Sequence, residues 1–144
     1  NIIIVPHVTI DDDIDKAIEI YKIIDDRLKC NIQVLTEDYN GLELLNIYNK
    51  FDFLIGTRLH STIFAMTVNT KVINIAYHGT KATGVFENFN ISDFVIGGAD
   101  ISATKLIETI LKLIDTPKEF LDLEKNVLKA QQRNLEIANE IISL

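Results

Sequence analysis

Five consecutive residues, Gly56-Thr57-Arg58-Leu59-His60, place a guanidinium and an imidazole beside a glycine. Arginine presents a planar fork that matches carboxylate and phosphate. Histidine donates to an anion or moves a proton near neutral pH. Glycine lets a ligand approach the backbone closely. The surroundings reinforce this reading. From Phe53 to Phe86, 34 residues contain neither Asp nor Glu, whereas 21 acids in 144 residues would put about five there. The same stretch holds Arg58, His60, Lys71, His78 and Lys81. Buried strands and helices exclude acids, which explains the apolar cores of the stretch but not its acid-free loops. Taken singly, each residue has a plain structural explanation. Arg58 can pair with Asp52 or Asp93, and His60 can be a hydrogen-bonded core histidine. Together they point to an anion site.

The elements that must hold these residues alternate. Ile2–Val5 is an apolar run stopped by Pro6, and Ile32–Leu35, Phe51–Ile55, Val72–Tyr77 and Phe94–Ile96 are further strands. Between them, apolar spacing predicts helices over Asp11–Lys29, Gly41–Asn49, Leu59–Val68, Thr83–Asn90 and Ser102–Ile114. Thr116-Pro117-Lys118-Glu119 is a capping box with proline at the first helical position. The helix it opens can run to Leu144, some 27 residues or roughly 40 Å, more than a five-stranded sheet needs. Strands alternating with helices imply parallel pairing. The expected fold is a Rossmann-like three-layer α/β/α sandwich around one parallel sheet of about five strands, with a long C-terminal helix.

Ligands of open α/β sheets bind beyond the C-terminal strand ends. The residues there are Pro6-His7, Thr36-Glu37-Asp38, Gly56 to Ser61, Tyr77 to Lys81 and Gly97-Gly98, and all three histidines of the chain fall among them. Gly56-Thr57-Arg58 leads from a strand straight into a helix, whose N-terminus adds N–H groups and a positive dipole end. Ser61 and Thr62 read as cap and packing residues, since no carboxylate neighbours them to complete a triad.

Composition narrows the classes. A hydrophobic fraction of 47% with 24% charge is that of a globular domain. A net charge of -7 argues against general nucleic-acid binding. No apolar run approaches the roughly 18 residues of a membrane span, and no signal-peptide pattern is present. Cys30 is the sole cysteine, so there is no disulfide framework, and no spacing suits a metal. A receiver domain would end its third strand in Asp, and a dinucleotide-binding domain would carry its glycine fingerprint after the first strand; neither pattern is found.

The run Asp52-Phe53-Leu54-Ile55-Gly56-Thr57-Arg58-Leu59-His60, followed by Ser61-Thr62-Ile63-Phe64-Ala65, resembles the core signature of the polysaccharide pyruvyl transferases. Val5-Pro6-His7, strand 72–76, Tyr77, Lys81, Gly84, Phe86-Glu87 and Ile91-Ser92-Asp93 come in matching order, so the likeness extends over most of residues 1–115. Two positions depart from the family pattern. Lys71 stands where a proline often enters the fourth strand, and three residues rather than two separate Tyr77 from Lys81.

The resemblance implies that residues 1–144 form a single Rossmann-like domain, the C-terminal half of a two-domain GT-B-like enzyme whose N-terminal domain is a separate part of the same protein. It implies transfer of pyruvate from phosphoenolpyruvate to a pair of saccharide hydroxyls, forming a ketal and releasing phosphate. Arg58 and His60 match the family's donor-binding pair. Gly56, Thr57, Tyr77 and Lys81 complete the expected substrate site, with His60 as the catalytic residue. No cofactor or metal is implied, because phosphoenolpyruvate is itself the donor. The acceptor would be a saccharide or a lipid-linked oligosaccharide, and the enzyme would be cytoplasmic, at the inner face of the membrane. Two other classes share the fold. One is the donor-binding half of a nucleotide-sugar glycosyltransferase, for which Glu87 would have to bind the ribose. The other is a non-enzymatic anion-sensing domain.

Overall fold

A computed structural model describes residues 1–7, 12–77, 81–117 and 123–143. The chain falls into two compact units, Asn1–Asn40 and Gly41–Leu144.

In the first unit, β1 (Ile2–Ile4) pairs in parallel with β2 (Ile32–Val34), with Ile3 opposite Gln33. The crossover holds two helices, α1 (Asp13–Ile23) and α2 (Asp26–Lys29). The single helix expected over Asp11–Lys29 is therefore broken, and Asp11 itself lies outside the described residues. Ile24 turns extended, at φ -73° and ψ 140°. Asp25 then caps a new helix: its carboxylate accepts the Arg27 N–H at 2.9 Å and the Arg27 guanidinium at 2.6 and 3.0 Å. Apolar spacing continues across the break at Ile24 and Leu28, but an aspartate able to bind the backbone two residues on competes with the helix. Arg27 also holds the Asp25 carboxyl below the usual carboxylate range, through the side-chain bond first and the backbone bond second.

The second unit opens with α3 (Gly41–Tyr48) and is built on β3 (Phe53–Gly56), β4 (Lys71–Ala76) and β5 (Val95–Gly97), all parallel in the order β3-β4-β5. Helix α4 (Leu59–Thr67) comes after β3, α5 (Lys81–Asn88) after β4, and α6 (Ala103–Asp115) after β5. Alternation along β4 sorts the layers. Asn74 meets Thr62 of α4 on one face. Lys71, of opposite parity, reaches the end of α6 on the other. Helices thus cover both faces of this sheet, and Leu54, Val72, Ile73, Met66, Phe86, Ile96 and Leu113 fill the space between.

The fold class is α/β with parallel sheets, as the alternation predicts, but the expected single sheet is not formed. The five described strands lie in a two-stranded and a three-stranded sheet. Lack of polar alternation predicts burial of β1 on both faces, yet Ile2 is 60% exposed. An apolar run states that a strand favours burial; it does not state which ladder the strand joins.

Both α4 and α5 end on an asparagine in the left-handed region, Asn69 at φ 58° and Asn90 at φ 56°. Thr70 N–H then bonds the Ala65 carbonyl at 2.9 Å, and Ile91 N–H bonds that of Phe86 at 2.9 Å. These are Schellman-type stops that turn the chain sharply toward the next element. After α5 comes a 3-10 turn, Ser92–Phe94, where the apolar pattern starts the strand one residue early. Ser102 caps α6 by accepting from the Lys105 N–H at 3.1 Å. The last helix, α7 (Leu123–Ile142), is long, as expected, and packs on α4. Its capping-box start falls partly in residues 118–122, outside those described. Beyond Val127 its described residues are exposed.

Candidate functional site

The C-terminal ends of the three parallel strands form one edge of the second unit. Register fixes this: Gly56 stands opposite Asn74, and Ala76 opposite Gly97. Gly98 N–H bonds the Ala76 carbonyl at 2.8 Å. A Cβ on Gly98 would lie 3.1 Å from the Tyr77 Cα, so β5 exits in close contact with the end of β4. The Gly56–His60 bend, Tyr77, Lys81 and Gly97-Gly98 therefore share the edge at which α/β sheets bind ligands.

The bend is tightly built. Gly56 is buried, and a Cβ there would stand 2.6 Å from the Thr62 Cγ2 and 2.7 Å from the Ser61 Oγ. Only a residue without a side chain lets the first turn of α4 pack on the end of β3. Arg58 is the N-cap of α4, extended at φ -94° and ψ 124°, and its side chain makes no capping bond. The hydroxyl of Ser61 donates to the Arg58 carbonyl at 2.6 Å, and that of Thr62 to the Leu59 carbonyl at 2.7 Å. Both hydroxyls bind backbone, in keeping with packing rather than nucleophilic roles. The peptides they hold are those whose N–H groups, on Leu59 and His60, open the helix. Thr57 and His60 are exposed, and Arg58 is half-buried.

Charge at this edge runs against ordinary helix design. Acidic residues are favoured in a helix's first turn and cations are disfavoured. Helix α4 begins with Arg58 and His60 and has no acid in its first turn. Helix α5 begins with Lys81 and has none either. Two helix N-termini on adjacent strands thus combine positive dipole ends with Arg58, His60 and Lys81, and a helix N-terminus favours an anion.

The remaining residues of the positive segment divide. Tyr77 lies just past β4 and is 55% exposed. Lys81 is exposed at the start of α5, and His78 lies outside the described residues. Lys71 is not at this edge. It begins β4, about 16 Å away at 3.3 Å per residue. Its ammonium donates to the carbonyls of Leu113 at 2.9 Å and Ile114 at 3.3 Å, and also to that of Thr116. It is the C-terminal cap of α6, a role that a proline could not fill. His7 lies beyond β1 in the first unit and is half-buried. Glu87 lies in the last turn of α5, about 9 Å along the helix from Lys81 at 1.5 Å per residue.

Sequence reasoning missed Asn74. It is 1% exposed, and its Nδ2 donates to the Gly56 carbonyl at 3.3 Å and to the Thr62 Oγ1 at 3.4 Å. The signal was present: an amide inside the run Val72-Ile73-Asn74-Ile75 must find a partner or destabilise the strand. Among the described residues no group of three or more His, Cys, Asp or Glu is arranged to hold a metal. No helix among them is long and apolar enough to cross a membrane.

Comparison with known proteins bears on this edge. The sequence model of the polysaccharide pyruvyl transferase family matches residues 1–79, which include Arg58, His60 and Tyr77 and stop short of Lys81. The amylovoran biosynthesis protein AmsJ of Erwinia amylovora is 26% identical over 113 residues. Those residues are 78% of this chain and 26% of that protein, so the chain spans about a quarter of the relative's length.

Proposed function

The chain belongs to the polysaccharide pyruvyl transferase family, and from that premise we propose that its strand-end edge binds phosphoenolpyruvate as the donor of a pyruvyl group. The observation that carries this reading is the pair of acid-free helix starts, α4 with Arg58 and His60 and α5 with Lys81. Phosphoenolpyruvate bears a phosphate and a carboxylate within one small molecule, and two adjacent cationic helix N-termini suit two adjacent anions.

In this reading Arg58 and the first N–H groups of α4 hold one anionic group, and Lys81 holds the second. Gly56 and Thr57 shape the approach, and Tyr77 lines it. The reaction adds a proton to the methylene carbon of the enol, which leaves an oxocarbenium-like centre at the carbon bearing the phosphate. Two saccharide hydroxyl oxygens bond to that carbon, and its bond to the phosphate oxygen breaks. Of the two hydroxyl protons, one balances the new methyl group and one leaves with phosphate. His60, exposed and two residues from Arg58, would supply a proton or a hydrogen bond.

The relative AmsJ bears a biosynthetic name, that of amylovoran. By that likeness the acceptor here is a saccharide, free or lipid-linked, of an exopolysaccharide. The enzyme would be GT-B-like and cytoplasmic, working at the inner face of the membrane with an N-terminal domain completing the acceptor site. A nucleotide-sugar donor would want a carboxylate for its ribose at this edge, and Glu87 stands at the far end of α5.

The test is a titration of phosphoenolpyruvate followed through the His60 imidazole signals, with a uridine diphosphate sugar in a parallel sample. Shifts with phosphoenolpyruvate alone are expected. Shifts with the nucleotide sugar alone would replace this reading with a glycosyltransferase one.

A further inference from the structure

We propose that Asn74 is the positioning residue of the anion-binding bend, acting on Arg58 and His60 through the backbone on either side of them. The inference rests on the donor-site reading for what the bend binds. Its structural part stands on the hydrogen bonds alone.

Asn74 sits in the middle strand of its sheet, opposite the last residue of β3. Isoleucines flank it, and a third apolar side chain there would serve the core as well. The amide instead ties two points together. Nδ2 donates to the Gly56 carbonyl at 3.3 Å, just before the bend. It also donates to the Thr62 Oγ1 at 3.4 Å. That hydroxyl in turn donates a hydrogen bond to the Leu59 carbonyl at 2.7 Å, just after the bend. Thr57 and Arg58 are thus clamped between two carbonyls held, directly or through one hydroxyl, by a single buried amide. A hydrogen-bond chain of this kind in a buried setting fixes geometry, because each unmade bond leaves a desolvated group unpaired. Oriented donors bind an anion well when they are held before it arrives. Asn74 touches no ligand in this account.

The test compares Asn74→Val and Asn74→Thr in the full-length protein, with Arg58→Ala as reference. Valine and threonine share a shape, and threonine keeps one hydroxyl donor. Two readouts are taken: phosphoenolpyruvate affinity by calorimetry, and amide hydrogen exchange at Ser61, whose N–H bonds the Arg58 carbonyl at 3.2 Å. For Asn74→Val we expect affinity to fall about tenfold, the effect of one lost buried hydrogen bond. Exchange at Ser61 should rise while Val72 and Ile96 stay protected, and Asn74→Thr should recover part of both. Wild-type affinity and exchange at the bend in Asn74→Val would overturn the proposal. So would an equal loss of protection across the whole sheet, which marks a merely structural role. If Asn74→Val does not fold, Thr62→Val removes the hydroxyl link from the helix side and is read in the same two ways. If the unaltered protein fails to bind phosphoenolpyruvate, the donor reading falls, and the exchange data still decide whether Asn74 holds the bend.

Discussion

Gly56 and Thr62 approach so closely that a Cβ on the glycine would lie 2.6 Å from the threonine Cγ2. Threonine is stiff at χ1 and is buried here, so it cannot swing away. The strand end and the first turn of α4 are therefore one packed unit, and Arg58 and His60 inherit their positions from it. Gly56→Ala is expected to destabilise the protein by about 1–3 kcal/mol through overpacking. Adding Thr62→Ser, which deletes the offending methyl, should return part of that loss. Urea denaturation of the single and double variants measures both.

Lys71 should matter for stability and not for ligand. Its ammonium meets three carbonyls at the end of α6. Lys71→Met keeps the apolar stem and removes the cap, and should cost about 1–3 kcal/mol, the range for a charged hydrogen bond at a helix C-terminus. Phosphoenolpyruvate affinity should be unchanged. A parallel loss of affinity would place Lys71 in the site after all.

Lys81 should show the opposite pattern. A cation in the first turn of α5 opposes the helix dipole. Lys81→Ala is expected to leave stability unchanged or raise it by about 0.3–1 kcal/mol. It should weaken phosphoenolpyruvate binding, and by less than Arg58→Ala, since lysine is an exposed point charge and arginine a half-buried fork. Paired melting and calorimetric curves separate the two effects.

Stability should fall in strong alkali through Tyr48. Burial alone pushes its phenol up to about 12, against about 10 in the unfolded chain. Below pH 10 both states hold the proton and nothing changes. Between pH 10 and 12 the unfolded state releases it while the folded state keeps it, so stability declines with rising pH. Two pH units correspond to a loss of about 2–3 kcal/mol. Denaturant midpoints across that window should fall in the native protein and fall less in Tyr48→Phe.

Much of this arrangement was legible in the sequence because periodicity is a local property. Apart from the broken first helix and the start of the last one, strand ends and helix bounds, such as α4 at Leu59–Thr67 and β4 at Lys71–Ala76, fall within a residue or two of their expected limits. The Gly56–His60 bend lies where the strand-to-helix pattern puts it. What escaped depends on partners distant in sequence or on competition at one residue. Lys71 counts toward the positive segment in composition, yet it caps α6 at the other end of β4, because composition cannot tell the two ends of a strand apart. Asn74 was passed over because its partners, Gly56 and Thr62, are 18 and 12 residues away. The break at Ile24 arises from one carboxylate preferring its neighbour's N–H to the helix. The grouping of five strands into two sheets rests on pairing, of which an apolar run carries no record.

The central claim is that the α4 start binds the donor through Arg58. Its most direct test is calorimetric titration of phosphoenolpyruvate into the full-length protein and into Arg58→Ala, with the melting temperature of each recorded. The account predicts binding by the first and a loss of at least about tenfold in the second, as for a charge-assisted hydrogen bond removed, with the fold intact. Equal affinity in the two proteins would contradict it.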